Sequence, residues 1–120
     1  MPQGITQSPG ISLVGNGLIT AVLASGANND LNPTGFGPGT GRIDLDSTAG
    51  VANITGLRPG YDGQRVTLRL VTANAVTCNN LNGGSAATAQ FSGTGDSVLA
   101  QRLAVDIVYY AGIGKWVFVP

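Results

Sequence analysis

The stretch that most constrains the fold is Gln64-Arg65-Val66-Thr67-Leu68-Arg69-Leu70-Val71. Val66, Leu68 and Leu70 fall on one side of an extended chain, and Arg65, Thr67 and Arg69 on the other. That period of two demands a strand with one buried and one wetter face, as in an antiparallel sheet. Arg42–Asp46 alternates in the same way, with Ile43 and Leu45 opposite Arg42, Asp44 and Asp46. At the C-terminal end, Leu103, Val105, Ile107 and Tyr109 line one face of a strand. Gly112-Ile113-Gly114 turns the chain, and Lys115 to Val119 returns as its hairpin partner with Trp116 and Phe118 on one face.

Composition supports strands over helices. Glu is absent and Lys115 is the only Lys, although both types normally populate solvated helix faces. Nineteen Gly and six Pro supply many turns. Further short strands are expected at Leu18–Leu23, Val51–Ile54, Ala75–Cys78, Thr88–Phe91 and Ser97–Leu99. Leu99, Leu103 and Ile107 also fit a helical i, i+4, i+8 spacing, but the flanking Gly and β-branched residues favour strand. About eight to ten short strands separated by turn signals predict an all-β antiparallel sandwich or jelly-roll-like domain, a barrel being the related solution. No internal repeat is evident. With 120 residues the chain suits one domain: an extended arm over 1–16, then a β-sandwich over 17–120 interrupted by a long Gly/Pro-rich loop at 25–41.

Charge narrows the function. Only 10% of residues are charged, against about 25% in ordinary soluble domains, and six basic residues balance six acidic ones. Zero net charge offers no electrostatic attraction to nucleic acid or to an anionic membrane surface. The most apolar run, near Leu18–Ala24, is too short to span a bilayer. The N-terminus shows no basic segment followed by an apolar one, so no signal peptide is expected. Cys78, the single Cys, allows no internal disulfide and suits a reducing cytoplasm.

The absence of His excludes imidazole acid-base work and the His-dependent nucleophile pairs, and with one Cys it excludes the usual zinc sites. Asp44 and Asp46 point to the same strand face, as paired glycosidase carboxylates would, yet such pairs are more often a solvated face. Asp30, Asp44 and Asp46 offer oxygen ligands for calcium but lack the spacing of a calcium loop. Gly35, Gly37, Gly39 and Gly41 are not followed by the Lys-Ser/Thr of a phosphate loop. Cys78 reads as a small core residue. Tyr109, Tyr110, Trp116 and Phe118 read as core before they read as a sugar-stacking platform. Arg65 and Arg69 form either a solvated face or an interface pair. The chain is therefore expected to be no enzyme and to hold no metal or cofactor.

Residues 51–118 resemble a pattern in tailed-bacteriophage virion proteins. An Ile-x-Gly-Leu-like stretch (Ile54-Thr55-Gly56-Leu57) leads through a Gly-rich turn, Asp62-Gly63-Gln64, into an apolar strand. Ala75-Val76-Thr77-Cys78-Asn79-Asn80, then Ala86–Phe91, then Tyr109-Tyr110 through Trp116 continue the likeness. The resemblance, with the small size of the chain, implies a capsid cement (decoration) protein on the virion head. Such a protein is made in the host cytoplasm, bound to the major capsid protein as a dimer or trimer, and stabilises contacts between capsomers. Ile5 and Ile11 of the arm, Phe36 of the loop, and Arg65 and Arg69 would be its partner contacts. The alternative is a tail- or fibre-associated adhesion module that binds a host-surface glycan through Tyr110 and Phe36.

Overall fold

The computed structural model describes residues 17–119. Among these, ten strands and one short 3-10 turn follow one another: β1 (Leu18–Val22), β2 (Gly26–Asn28), β3 (Arg42–Asp46), β4 (Ala52–Ile54), β5 (Arg65–Leu70), β6 (Val76–Cys78), the 3-10 turn Ala87–Ala89, β7 (Phe91–Ser92), β8 (Ser97–Leu99), β9 (Ala104–Tyr110) and β10 (Lys115–Val119). Most strands lie where alternation places them, although the expected strand Thr88–Phe91 is largely the 3-10 turn. Ser97–Ile107 forms two strands (β8 and β9) joined by a turn at 100–103 rather than a helix.

The expected sandwich is not what the strands build. One sheet runs β1-β3-β5-β9-β10-β7 and a second runs β2-β4-β6-β8. β1, β3 and β5 pair in parallel, as do β2, β4 and β6. The chain therefore winds repeatedly from the first sheet to the second, laying each coil on the one before. It is a β-solenoid of four stacked layers. The fourth layer, β8 then β9, is traversed backwards and pairs antiparallel with β6 and β5. β10 closes the end as the antiparallel partner of β9, which is the C-terminal hairpin expected from the sequence.

Alternation could not separate these folds, because the wall of a coil also has one buried and one wet face. Closure decides. Ile19, Ile43, Leu68 and Val105 stack in register on the inner wall of the first sheet, and Ala21, Leu45 and Leu70 stack beside them. Ala52, Val76 and Leu99 do the same across the second sheet. The repeat missed in the sequence is 24 residues from Leu18 to Arg42, then 25 from Arg42 to Thr67. It is hidden because only the inward positions repeat, while the turns between them differ in length and type.

The turns stack as well. Ser47 Oγ lies 2.7 Å from Thr72 Oγ1, and Asn74 Nδ2 donates to the Ser47 carbonyl at 2.9 Å, joining successive coils at one corner. Asn28 Nδ2 donates to the Asn53 carbonyl at 3.1 Å and joins the first two coils at the next corner. The segment 25–41, read from composition as an open loop, carries β2 and then Leu31, which bridges in parallel to Leu57 on the third side of the coil. Its Phe36 packs edge-on to Trp116, with ring centroids 6.3 Å apart.

The head-decoration reading falls with the sandwich. Stacked parallel coils fit fibrous, tail-type adhesion or glycan-binding modules better than a jelly-roll cement protein. The predicted arm, with Ile5 and Ile11, lies outside the described residues.

Candidate ligand-binding corner

The turn that feeds the third coil, residues 58–64, is held from beneath by buried groups. Leu57 is fully buried, and Trp116 Nε1 donates to the carbonyls of Leu57 and Arg58, each at 3.1 Å. Gly60 lies against the edge of the Trp116 ring, where any side chain would collide. The buried Gln64 donates from Nε2 to the carbonyls of Gly37 (3.0 Å) and Thr40 (3.1 Å), and its Oε1 accepts from the Tyr61 amide. Gln64 N–H bonds back to the Tyr61 carbonyl at 3.0 Å around Gly63, whose φ of 85° favours glycine. The result is a tight turn that lifts Tyr61 into solvent.

A second loop is tied to it. Asp62 Oδ1 accepts from the Ala111 amide at 3.0 Å, Gly63 N–H donates to the Tyr109 carbonyl at 2.7 Å, and Tyr109 N–H donates to the Gln64 carbonyl at 2.9 Å. These bonds fix the start of β5 against the end of β9, where Tyr110 also stands in solvent. Tyr61 is 54% exposed, Tyr110 48% and Ile113, in the adjoining hairpin turn, 62%. Solvent-exposed aromatic residues clustered on well-anchored turns are unusual enough to mark a contact surface.

Beside Tyr61 lies a cleft of about 100 Å³ lined by Phe36, Pro38, Arg58, Pro59, Tyr61 and Gln64. Arg58 crosses it. Its guanidinium carbon is 5.9 Å from the centroid of the Phe36 ring, and one N–H donates to the Phe36 carbonyl at 3.1 Å. Lys115 faces Tyr110 across the β9–β10 ladder, and its Nζ donates to the Ala87 carbonyl at 2.5 Å. Such a corner can stack a flat apolar face on tyrosine while offering charged donors beside it.

The residues singled out in the sequence are dispersed. Phe36 is 7% exposed, so it forms the cleft floor rather than a projecting anchor. Arg65 pairs with Asp106 at 3.0 Å on the outer wall of the first sheet. The Thr67 hydroxyl, at 2.6 Å, and then Arg65 hold the Asp106 carboxyl below its ordinary value. Arg69 is half-buried on the same wall, in register with Asp44, whose carboxylate pairs with Arg42 at 3.0 Å. Tyr110, named for the glycan alternative, does lie at the corner. Asp46 caps Thr48 and Asp30 accepts from the Ala86 amide, so the three candidate calcium ligands serve separate turns and an ion pair. Among the described residues no group of three or more acidic, Cys or His side chains gathers for a metal. Cys78 is buried, which pushes its thiol up to about 12.

Tyr61, Arg58 and Lys115 escaped the sequence reading. For Tyr61 and Arg58 the signal was the pair of turn dipeptides Pro59-Gly60 and Asp62-Gly63, which bracket Tyr61; no local pattern marked Lys115. A wider groove of about 530 Å³, lined by residues 93–97 with Val105, Phe118 and Val119, lies at the other end of β9. Its one carboxylate, Asp96, is turned to the Asn80 amide at 2.7 Å, so it offers a ligand little beyond apolar surface. No protein-family model, curated protein or solved structure matches the chain.

Proposed function

We propose that this chain is an adhesion module of the tail or fibre type, which binds a surface glycan at the Tyr61–Tyr110 corner without cleaving it. The observation that carries the reading is the pair of exposed tyrosines on two turns locked together by backbone and Asp62 hydrogen bonds, beside a polar cleft. A sugar ring presents axial C–H groups on one face and hydroxyls around its rim. The first suit an aromatic face and the second suit the donors of Arg58 and the carbonyls that line the turn.

The solenoid supports the same reading. A site borne on stacked, mutually hydrogen-bonded coils loses little freedom when it binds, and that preserves affinity. Each site would be weak alone. Several copies in one homo-oligomeric assembly would convert that weak contact into firm attachment through effective concentration. The absence of His, together with the engagement of Asp44 and Asp62 in an ion pair and a turn, supports binding rather than hydrolysis.

The test is a glycan array followed by calorimetry on the glycans retained. Tyr61→Ala and Tyr110→Ala should each weaken binding by about ten-fold or more, as expected when a stacking aromatic is truncated. Circular dichroism should be unchanged, since both residues are about half exposed and neither belongs to the buried core. Full binding by the double variant would overturn the proposal.

A further inference from the structure

We infer that the glycan recognised at this corner carries a carboxylate, an inference that rests on the Tyr61–Tyr110 reading. The distribution of the few charges points to it. On the outer wall of the first sheet, Arg42 and Arg65 are matched to Asp44 and Asp106. At the corner, Arg58 and Lys115 have no carboxylate partner among the described residues. Arg58 meets a ring and a backbone carbonyl, and Lys115 meets a backbone carbonyl. The acid of the corner, Asp62, has one oxygen committed to the Ala111 amide. The corner thus carries two cations and one carboxylate, a local positive excess in a chain whose formal charges sum to zero. Arg69 and Arg102 also make no ion pair among the described residues, but neither lies beside an exposed tyrosine and a cleft.

Arg58 is also prepared for the task. The Phe36 ring and carbonyl hold its guanidinium over the cleft while using one of its N–H groups, leaving others of the planar fork for an acceptor. A planar fork matches a carboxylate through two parallel hydrogen bonds, whereas a sugar hydroxyl takes one. Tyr61 on the same cleft supplies the stacking face, so ring and carboxylate of one acidic sugar residue would be read together. Lys115, beside Tyr110, would meet a second acidic residue along the chain as a less directional charge.

The experiment compares matched pairs: uronic-acid oligosaccharides and sialylated oligosaccharides, each against the same compound with its carboxyl groups reduced to alcohols. The protein is the full chain, and binding is measured by calorimetry. The expected result is that an acidic member binds at least about ten-fold more tightly than its reduced partner, the size of a charge-assisted hydrogen bond. Arg58→Gln should abolish that preference, so that the acidic member and its reduced partner bind alike. Lys115→Gln should narrow it less. Equal affinity for both members, lost on Tyr61→Ala, would overturn the carboxylate inference and leave the glycan site standing. Binding of neither member, or binding indifferent to Tyr61→Ala, would overturn both.

Discussion

At the scale of single residues, two positions report on how tightly the structure is built. A methyl group on Gly60 would sit 2.8 Å from Cη2 and 2.9 Å from Cζ2 of Trp116, and in collision with Gln64 Oε1. Trp116 is fully buried and cannot retreat. Gly60→Ala should therefore cost about 1–3 kcal/mol, the usual range for overpacking, measured as a lower urea midpoint at unchanged slope. It should also disturb glycan binding, because the displaced turn carries Tyr61. Cys78 gives the complementary case. Desolvation, reinforced by Asp96, raises its thiol to about 12, so at pH 8 roughly one thiol in ten thousand is ionised. Iodoacetamide should leave it unmodified in the folded protein and alkylate it promptly in denaturant. Fast labelling under native conditions would show that the third coil opens readily.

At the scale of elements, β3 is the strand on which the stack depends, since it is paired in parallel to β1 on one side and β5 on the other. Leu45 lies fully buried on its inner face, between Ala21 and Leu70. With rigid ladders on both sides the wall cannot close over a cavity, and Leu45→Ala should lose about 2–5 kcal/mol in urea denaturation. Val22→Ala on the outer face of β1, where the side chain is 76% exposed, should stay within about 0.5 kcal/mol. The contrast is what alternation along each strand already promised. Ile43 and Leu45 were legible as core, and Val105, Ile107 and Tyr109 as the inner face of a strand, because the facing of a side chain depends only on the parity of its position. Leu103, placed on that face by the same parity, lies before β9 in a turn and is exposed.

At the scale of the molecule, the solenoid has unequal ends. β9 and β10 extend one end antiparallel, and among the described residues the strands with one unpaired edge are β1 and β7 in the first sheet and β2 and β8 in the second. Strands paired on both sides must open cooperatively, while an edge strand can fray alone. Amide hydrogen exchange should accordingly be slowest in β3 and β5 and measurably faster in β1. Equal protection across the three would show that another segment covers the β1 edge. The same stacking explains why the candidate site eluded the sequence. Tyr61 and Tyr110 are 49 residues apart, and no local pattern links them. The turns that carry them are brought together only because β5 and β9 pair, with Gly63 and Gln64 bonded to Tyr109 and Asp62 to Ala111.

The sequence by itself determined that this chain is made of short strands, where most of them lie, which side chains within them mostly face inward, and that its formal charges cancel. These properties are local, since backbone geometry and the hydrophobic effect act on each strand before it finds a partner. Tertiary structure alone decided that the strands wind into coils instead of folding into two facing antiparallel sheets. The alternating pattern is satisfied by either closure, and the choice is made by which walls stack in register. That choice also brought two turns distant in sequence to one corner, where exposed tyrosines and carboxylate-free cations form the surface we assign to glycan binding.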